Sequence, residues 1–232
     1  MMLNKLKKEL KENSDSKKAK LSQKYFKTGK GEYGEGQIFL GINTPKKREI
    51  AKKYVNLGLE NLRKLLESNI HDEKFIALII LEHKYKNSDE KVKKEIFDFY
   101  LNNLENINNW DLVDISCYKI IGDYLVDKKR DILYELAISE NLWKRRISMI
   151  SCFAFIRKDD LKDALKISKI LIQDKHDLIH KAVGWMLREI GNKDKKILEN
   201  FLEKNYKKIP RIMLRYSIEK FPENERKKWL KK

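Results

Sequence analysis

The residues best suited to chemistry lie in the stretch NNWDLVD, positions 108–114. Trp110 and Asp114 are four apart, so a helix would set an indole plane beside a carboxylate on one face. A plainer role is open to the acids. Asp111 can cap the free amides of a helix start, and Asp114 in the first turn would gain ~0.3–1 kcal/mol from the helix dipole. That role does not account for Trp110. The chain carries 52 Lys and Arg against 35 Asp and Glu, a net charge of +17. Such an excess favours an acidic partner, nucleic acid first and an anionic membrane surface second. A carboxylate facing a polyanion is repelled unless the ligand brings positive charge to it. A cationic lesion or a developing oxocarbenium ion would do so.

Two further stretches pair aromatic and basic residues. LWKRRIS offers Trp143, Arg145 and Arg146 at another expected helix start, combining guanidinium forks with free amides as phosphate recognition requires. A solvated basic face with Trp143 in the core gives the same pattern. KAVGWMLRE places Lys181, Gly184, Trp185 and Arg188 on one or two adjacent faces. Gly184 would leave room beside Trp185 for a planar ligand, or it is a packing glycine next to a core tryptophan. Trp229 reads as packing of the terminal helix.

Other signals are weaker. His176 and His180 have the i, i+4 spacing of a metal pair, but no HExxH glutamate lies between them and no cysteine is near. Surface or capping roles fit them better, and neither a metal nor another cofactor is expected. Gly29, Gly31 and Gly34 spell G-x-G-x-x-G within TGKGEYGEG, residues 28–36. That fingerprint holds phosphate only between a strand and a helix. Here it follows a Lys-rich helical stretch and carries Glu32 and Glu35, so a flexible loop able to approach a ligand backbone is expected. No nucleophile stands in a defensible context. Catalysis would fall to carboxylate and electrostatics.

The elements that must position these residues are helical. Apolar residues recur at three and four, as in Ile76, Ile79, Ile80 and in Val92, Ile96, Phe99, Tyr100. Thr44-Pro45 supplies a capping hydroxyl before a proline, and Asp89 and Pro222 mark other starts. Twelve to fourteen short helices follow from this spacing. HDEKFIALIILEH, NWDLVDISCYKII, LWKRRISMISCFA and HDLIHKAVGWMLR repeat one pattern, with Ile76, Asp111, Arg146 and Lys181 at steps of 35. A period of this size with two helices per unit signals an α-solenoid. The expected architecture is a single all-α domain, 1–232, forming a right-handed α-solenoid of helical hairpins. It has N-terminal helices over 1–27, a Gly-rich loop over 28–41 and helix-pair repeats over 42–232. Stacking would bring 110–114, 145–146 and 181–188 onto one concave basic groove.

Cys117 and Cys152 are the only cysteines, too few for a disulfide framework and suited to a reduced compartment. The longest apolar run, FIALIIL at 75–81, is too short to span a bilayer. A cytoplasmic, nucleoid-associated monomer with no membrane contact is expected.

Taken together, KYFKT with FLGINTPKKRE, ALIILEHKYK, NNWDLVD, LWKRRIS and KAVGWMLRE resemble the AlkD-type DNA alkylation repair family over about residues 20–220. That family consists of monofunctional glycosylases built from HEAT-like repeats. The resemblance implies removal of cationic 3-methyladenine and 7-methylguanine from double-stranded DNA without flipping the base into a pocket. It implies Asp114 as the catalytic carboxylate and Trp110 and Trp185 as the indoles that cradle the lesion sugar. It further implies Arg146 beside the site, with Tyr25, Thr44 and Arg48 approaching the DNA. Arg145, Lys181 and Arg188 are supporting basic candidates. The Gly-rich segment lengthens the connection after Tyr25 relative to the best-understood members. A non-catalytic protein that recognises distorted or branched DNA is the alternative.

Overall fold

The structure, a computed structural model, describes residues 2–231. Its helices cluster into two compact units, Met1–Ser116 and Cys117–Lys232. Among the described residues the fold is all-α, with fifteen α-helices and three shorter turns. The count exceeds the expected twelve to fourteen partly because LWKRRISMISCFAFIR breaks at Cys152 into two helices.

The first unit contains α1 (Met2–Glu12), α2 (Ser16–Tyr25), α3 (Thr44–Lys53), α4 (Leu59–Leu66), α5 (His71–Lys86), α6 (Glu90–Asn102) and α7 (Trp110–Cys117). At its centre, α5 is buried almost continuously from His71 to Leu81. A helix apolar on every side needs neighbours on every side. Here α1, α3, α4 and α6 surround it. They bury single stripes, such as Leu6 and Leu10 of α1 and Leu62, Leu65 and Leu66 of α4.

Side-chain caps fix several starts. Asp15 accepts from the amides of Lys17 and Lys18, and Asp89 accepts from Val92 as expected. The α3 cap is not Thr44. Asn43 accepts from the Lys46 amide, which makes Thr44 the first helical residue and Pro45 the second. The one extended pairing among the described residues is an isolated parallel bridge between Ile38 and Ile70.

In the second unit a π-helical turn, Tyr118–Gly122, precedes α8 (Asp131–Ala137), α9 (Leu142–Ser151), α10 (Phe153–Arg157) and α11 (Lys162–Leu171). The unit continues with α12 (Asp177–Lys193), α13 (Lys195–Asn205), α14 (Arg211–Ser217) and α15 (Glu223–Lys231). Here α12 is central, packed by α9, α11, α13 and α14. Arg130 staples the layer beneath, donating to Asp160 and Asp163 while its guanidinium lies 3.7 Å from the Phe155 ring centroid. Cys152 is fully buried and burial pushes its thiol pKa up, so it is an inert core residue. The four repeated sequence segments each open a helix: α5, α7, α9 and α12. That is the helix-pair repetition an α-solenoid requires.

Candidate functional site

The WDLVD helix starts at Trp110. The Asn109 carbonyl accepts the first helical bond from Val113, at 3.2 Å, and the Asn109 side chain accepts from the Trp110 amide at 2.8 Å. Asp111 is therefore already inside the helix and is not its cap. Its carboxylate accepts from the Leu112 amide at 2.8 Å and meets Nε2 of His71 at 2.8 Å. The same early start moves Asp114 past the first turn, where the dipole contributes little. Trp110 and Asp114 are both half-buried.

The Trp110 indole heads a continuous stack of planes. Phe26 lies parallel to it, 5.2 Å away and tilted by 18°. Phe39 stacks on Phe26 at 4.8 Å, and the fully buried His71 ring stacks on Phe39 at 4.3 Å. Through Asp111, His71 then closes the chain back onto the residue beside Trp110. Pairs of this kind contribute ~0.5–1.5 kcal/mol each beyond area burial. The outer edge of the indole meets Tyr25 at 5.9 Å in a T-shaped contact, and Tyr25 is 66% exposed. The aromatic surface is thus anchored from within and open at one rim.

The turn preceding Trp110 is held from two directions. Gln37 donates to the Asn108 carbonyl at 2.8 Å and accepts from the Asn109 side chain at 2.8 Å. Lys74 donates to the Asn106 carbonyl and to Asn108 Oδ1, both at 3.0 Å. Burial draws the Lys74 pKa down to about 8. Asp72 and Glu73 of the same HDEK start of α5 are paired as well. Asp72 pairs with Lys47 at 2.9 Å and accepts from the Leu40 amide at 2.7 Å, while Glu73 pairs with Lys7 at 2.8 Å.

The Gly-rich loop is folded onto itself. The Gly29 amide donates to Glu32 at 2.9 Å and the Gly31 amide to Glu35 at 2.8 Å. Gly31 needs its glycine, at φ 77°. At Gly34, a Cβ would fall 2.5 Å from the Phe26 carbonyl oxygen. The loop's own carboxylates therefore occupy amides that a phosphate would need. Thr44 is exposed at the start of α3, one turn before the half-exposed Arg48. Arg48 makes no side-chain hydrogen bond or ion pair among the described residues.

In the second unit Trp185 is half-buried and donates from Nε1 to Glu189 at 3.0 Å. Its ring lies 5.8 Å from Phe153, which is itself 5.2 Å from Tyr118. Gly184 does not open space for a ligand beside Trp185. A Cβ there would sit 2.5 Å from Cβ of Tyr216, so the glycine serves the close approach of α14 to α12. Arg146 is 5% exposed and donates to the Leu178 carbonyl. Arg145 binds Asp174 at 2.6 Å and the carbonyls of Ser139 and Glu140 at 2.9 and 2.7 Å. Lys181 pairs with Asp177 at 2.9 Å, and Arg188 pairs with Glu189 and Glu219.

Trp143 is a core residue, and Trp229 is buried on the terminal helix with its carbonyl accepting from the Tyr206 hydroxyl. His176 caps α12 by accepting from the Leu178 amide at 3.1 Å, and His180 bonds the Asp174 carbonyl. No group of three or more potential metal ligands occurs among the described residues. Nor is any helix among them long and apolar enough to cross a membrane. Phe26, Phe39, His71, Gln37 and Lys74 are the residues that sequence reasoning missed. For His71 and Lys74 the one available hint was the apolar FIALIIL run that follows them on the same helix; Phe26, Phe39 and Gln37 had none.

An all-helical chain carrying basic and aromatic side chains defines the class, and comparison with known proteins gives the family. The sequence profile of the family described as DNA alkylation repair enzyme matches residues 6–221. The chain belongs to that family, and membership supports a role in DNA repair. Its fold is similar to that of a predicted DNA alkylation repair enzyme from Enterococcus faecalis, with a TM-score of 0.71 and 15% identity over 91% of this chain and 98% of the other. It is also similar to smu.31 from Streptococcus mutans UA159, with a TM-score of 0.53 and 17% identity over 100% of this chain and 98% of that one. No curated protein matches the chain in sequence.

Proposed function

We propose that the protein is a monofunctional DNA glycosylase that hydrolyses the N-glycosidic bond of cationic alkylated purines, such as 3-methyladenine and 7-methylguanine, in duplex DNA. The observation that carries this reading is the anchored Trp110 plane, open at the Tyr25 rim, with a carboxylate one helical turn further along the same helix. A monomer with the helix pairs wound right-handedly about a basic groove completes the proposal.

Alkylation already makes the base a good leaving group, so little acid catalysis is needed. As the C1′–N bond breaks, the positive charge passes from base to sugar and the base departs neutral. Asp114 stabilises the oxocarbenium-like sugar and orients the water that attacks C1′, giving an abasic site, the free base and one proton. Trp110 packs against the sugar, and its backing by Phe26 keeps the plane fixed so that no binding energy is spent ordering it. Tyr25, Thr44 and Arg48 contact the DNA from the first unit. Trp185 is assigned an aromatic contact on the strength of its half-exposed indole.

Methylated duplex DNA provides the test. Wild-type protein should release methylated purines, and Asp114→Asn should lose release while retaining DNA binding. Absence of release by the wild type, with retained binding of gapped or branched DNA, would replace this reading with a non-catalytic one.

A further inference from the structure

We infer that the groove between α11 and α13 docks an acidic amphipathic helix of a partner protein. The groove has a volume of about 530 Å³. Its floor is apolar, made by Leu165 of α11 and by Ile197 and Phe201 of α13, all half-buried. Its rim is basic, with Lys166 and Lys169 on one side and Lys204 and Lys208 on the other. No acidic residue lines it.

Each of these lysines is exposed, and none makes a side-chain hydrogen bond or ion pair among the described residues. Other cations of this unit are paired, among them Lys181 with Asp177, Lys193 with Asp159, Lys195 with Glu225 and Arg188 with Glu219. Four ammonium groups around one apolar floor, with no carboxylate among the lining residues, give the groove a positive rim that an acidic partner would complement.

The helices explain why the groove stays open. On α13, Leu198 and Leu202 are buried in the core, while Ile197 and Phe201 follow at i, i+4 along a second face. On α11, Ala164, Ile167, Ser168 and Leu171 take the core side and leave Leu165 to the groove. A third helix laid between two helices presents apolar side chains at i, i+3, i+4 and i+7, which suits such a floor. Acidic residues flanking that stripe would meet both lysine rims.

Nucleic acid fits less well. The groove offers no Arg fork for phosphate, and aliphatic carbon from Leu165 and Ile197 gives phosphate oxygens nothing to bind. None of its residues lies on α7, α9 or α12, which carry Trp110, Arg146 and Trp185. The surface is therefore separable by mutation from the proposed DNA contacts.

The probe is a fluorescein-labelled 18-residue peptide with Leu and Phe at i, i+3, i+4 and i+7 and Glu at the flanking positions, titrated into the full chain by anisotropy. A scrambled peptide of the same composition, oligo-dT and anionic phosphatidylglycerol vesicles serve as comparators. The amphipathic peptide should bind saturably and more tightly than its scramble. The double variant Lys169→Glu/Lys204→Glu, altered only at exposed side chains, should weaken it at least about tenfold and leave duplex DNA binding unchanged. Phe201→Ser should weaken it as well, with circular dichroism confirming the retained helix content. Equal binding of the scramble, or no saturable binding, overturns the proposal. So does a double variant that loses oligo-dT or vesicle binding instead, which would assign the surface to nucleic acid or lipid.

Discussion

Replacing Lys74 by methionine tests whether a poorly hydrated ammonium group holds the turn that leads into Trp110. The Lys74 side chain is buried, and the two oxygens it donates to, of Asn106 and Asn108, are uncharged. Nothing among these contacts offsets the cost of removing the charge from water, and the pKa falls from 10.5 to about 8. The unfolded chain keeps the proton up to about pH 10.5, whereas the folded protein releases it near pH 8. Between those values the unfolded state binds more protons, so stability rises with pH. A pKa difference of about 2.5 is worth about 3.4 kcal/mol in total. From about pH 7 to about pH 9.5 the two titration curves express about 2 kcal/mol of it.

Urea unfolding of wild type and Lys74→Met at these two pH values, at fixed ionic strength, isolates the effect. Methionine keeps an unbranched stem of similar length and cannot titrate, and the groups common to both proteins cancel in the difference. The stability of wild type relative to the variant should move by about 2 kcal/mol in favour of wild type as pH rises. A difference that stays flat would mean that Lys74 is hydrated in the folded state, and the argument for a strained ammonium beneath the turn would fail.

Three other substitutions probe separate parts of the structure. His71→Ala removes a charge-assisted hydrogen bond to Asp111 and a stacked partner of Phe39, and should cost about 3 kcal/mol by denaturant unfolding with loss of near-ultraviolet Trp signal. Gly184→Ala drives a methyl group into Tyr216 and the Met213 carbonyl, and should lower stability by ~1–3 kcal/mol without adding a binding defect at equal folded fraction. Arg48→Ala should reduce the dependence of log affinity for duplex DNA on log salt by about 0.9, and Arg145→Ala by much less, both read by binding titrations at several salt concentrations.

Much of the helical frame was legible, because an α-helix writes its buried stripe at three- and four-residue intervals. The pattern in Val92, Ile96, Phe99 and Tyr100 became α6, and Asp89 capped it. Caps were less legible where two candidates adjoin. Asn43 and Thr44 both can accept an amide, and only backbone geometry selected Asn43. The same ambiguity misplaced Asp111, since Asn109 took the helix start and left that carboxylate one residue inside the first turn, where it meets the Leu112 amide and His71. In the site, the Trp110–Asp114 spacing could be read from one helix. Its supports could not, because Phe26, Phe39, His71 and Lys74 all lie more than thirty residues before Trp110, and HDEK looks like an ordinary solvated helix start. Only burial distinguishes them, and burial of polar residues is set by what surrounds α5 rather than by the residues themselves.

Ion pairing changes what a charge of +17 means for a polyanion. A cation already paired with a carboxylate brings little new attraction to a phosphate, because it must leave an acid behind or share its donors with it. Arg145 is committed to Asp174, Lys181 to Asp177 and Arg188 to Glu189 and Glu219. Arg146 gives a donor to a backbone carbonyl from a position only 5% exposed, so truncating it removes an internal support before it removes any phosphate contact. Arg48 has no such commitment among the described residues, and it stands one turn from the exposed Thr44 on α3. Counterion release depends on cations that neutralise phosphate anew. A measured salt slope therefore counts free cations such as Arg48 at the contact, and it should fall well short of the number of basic residues that the WKRR and KAVGWMLRE segments display.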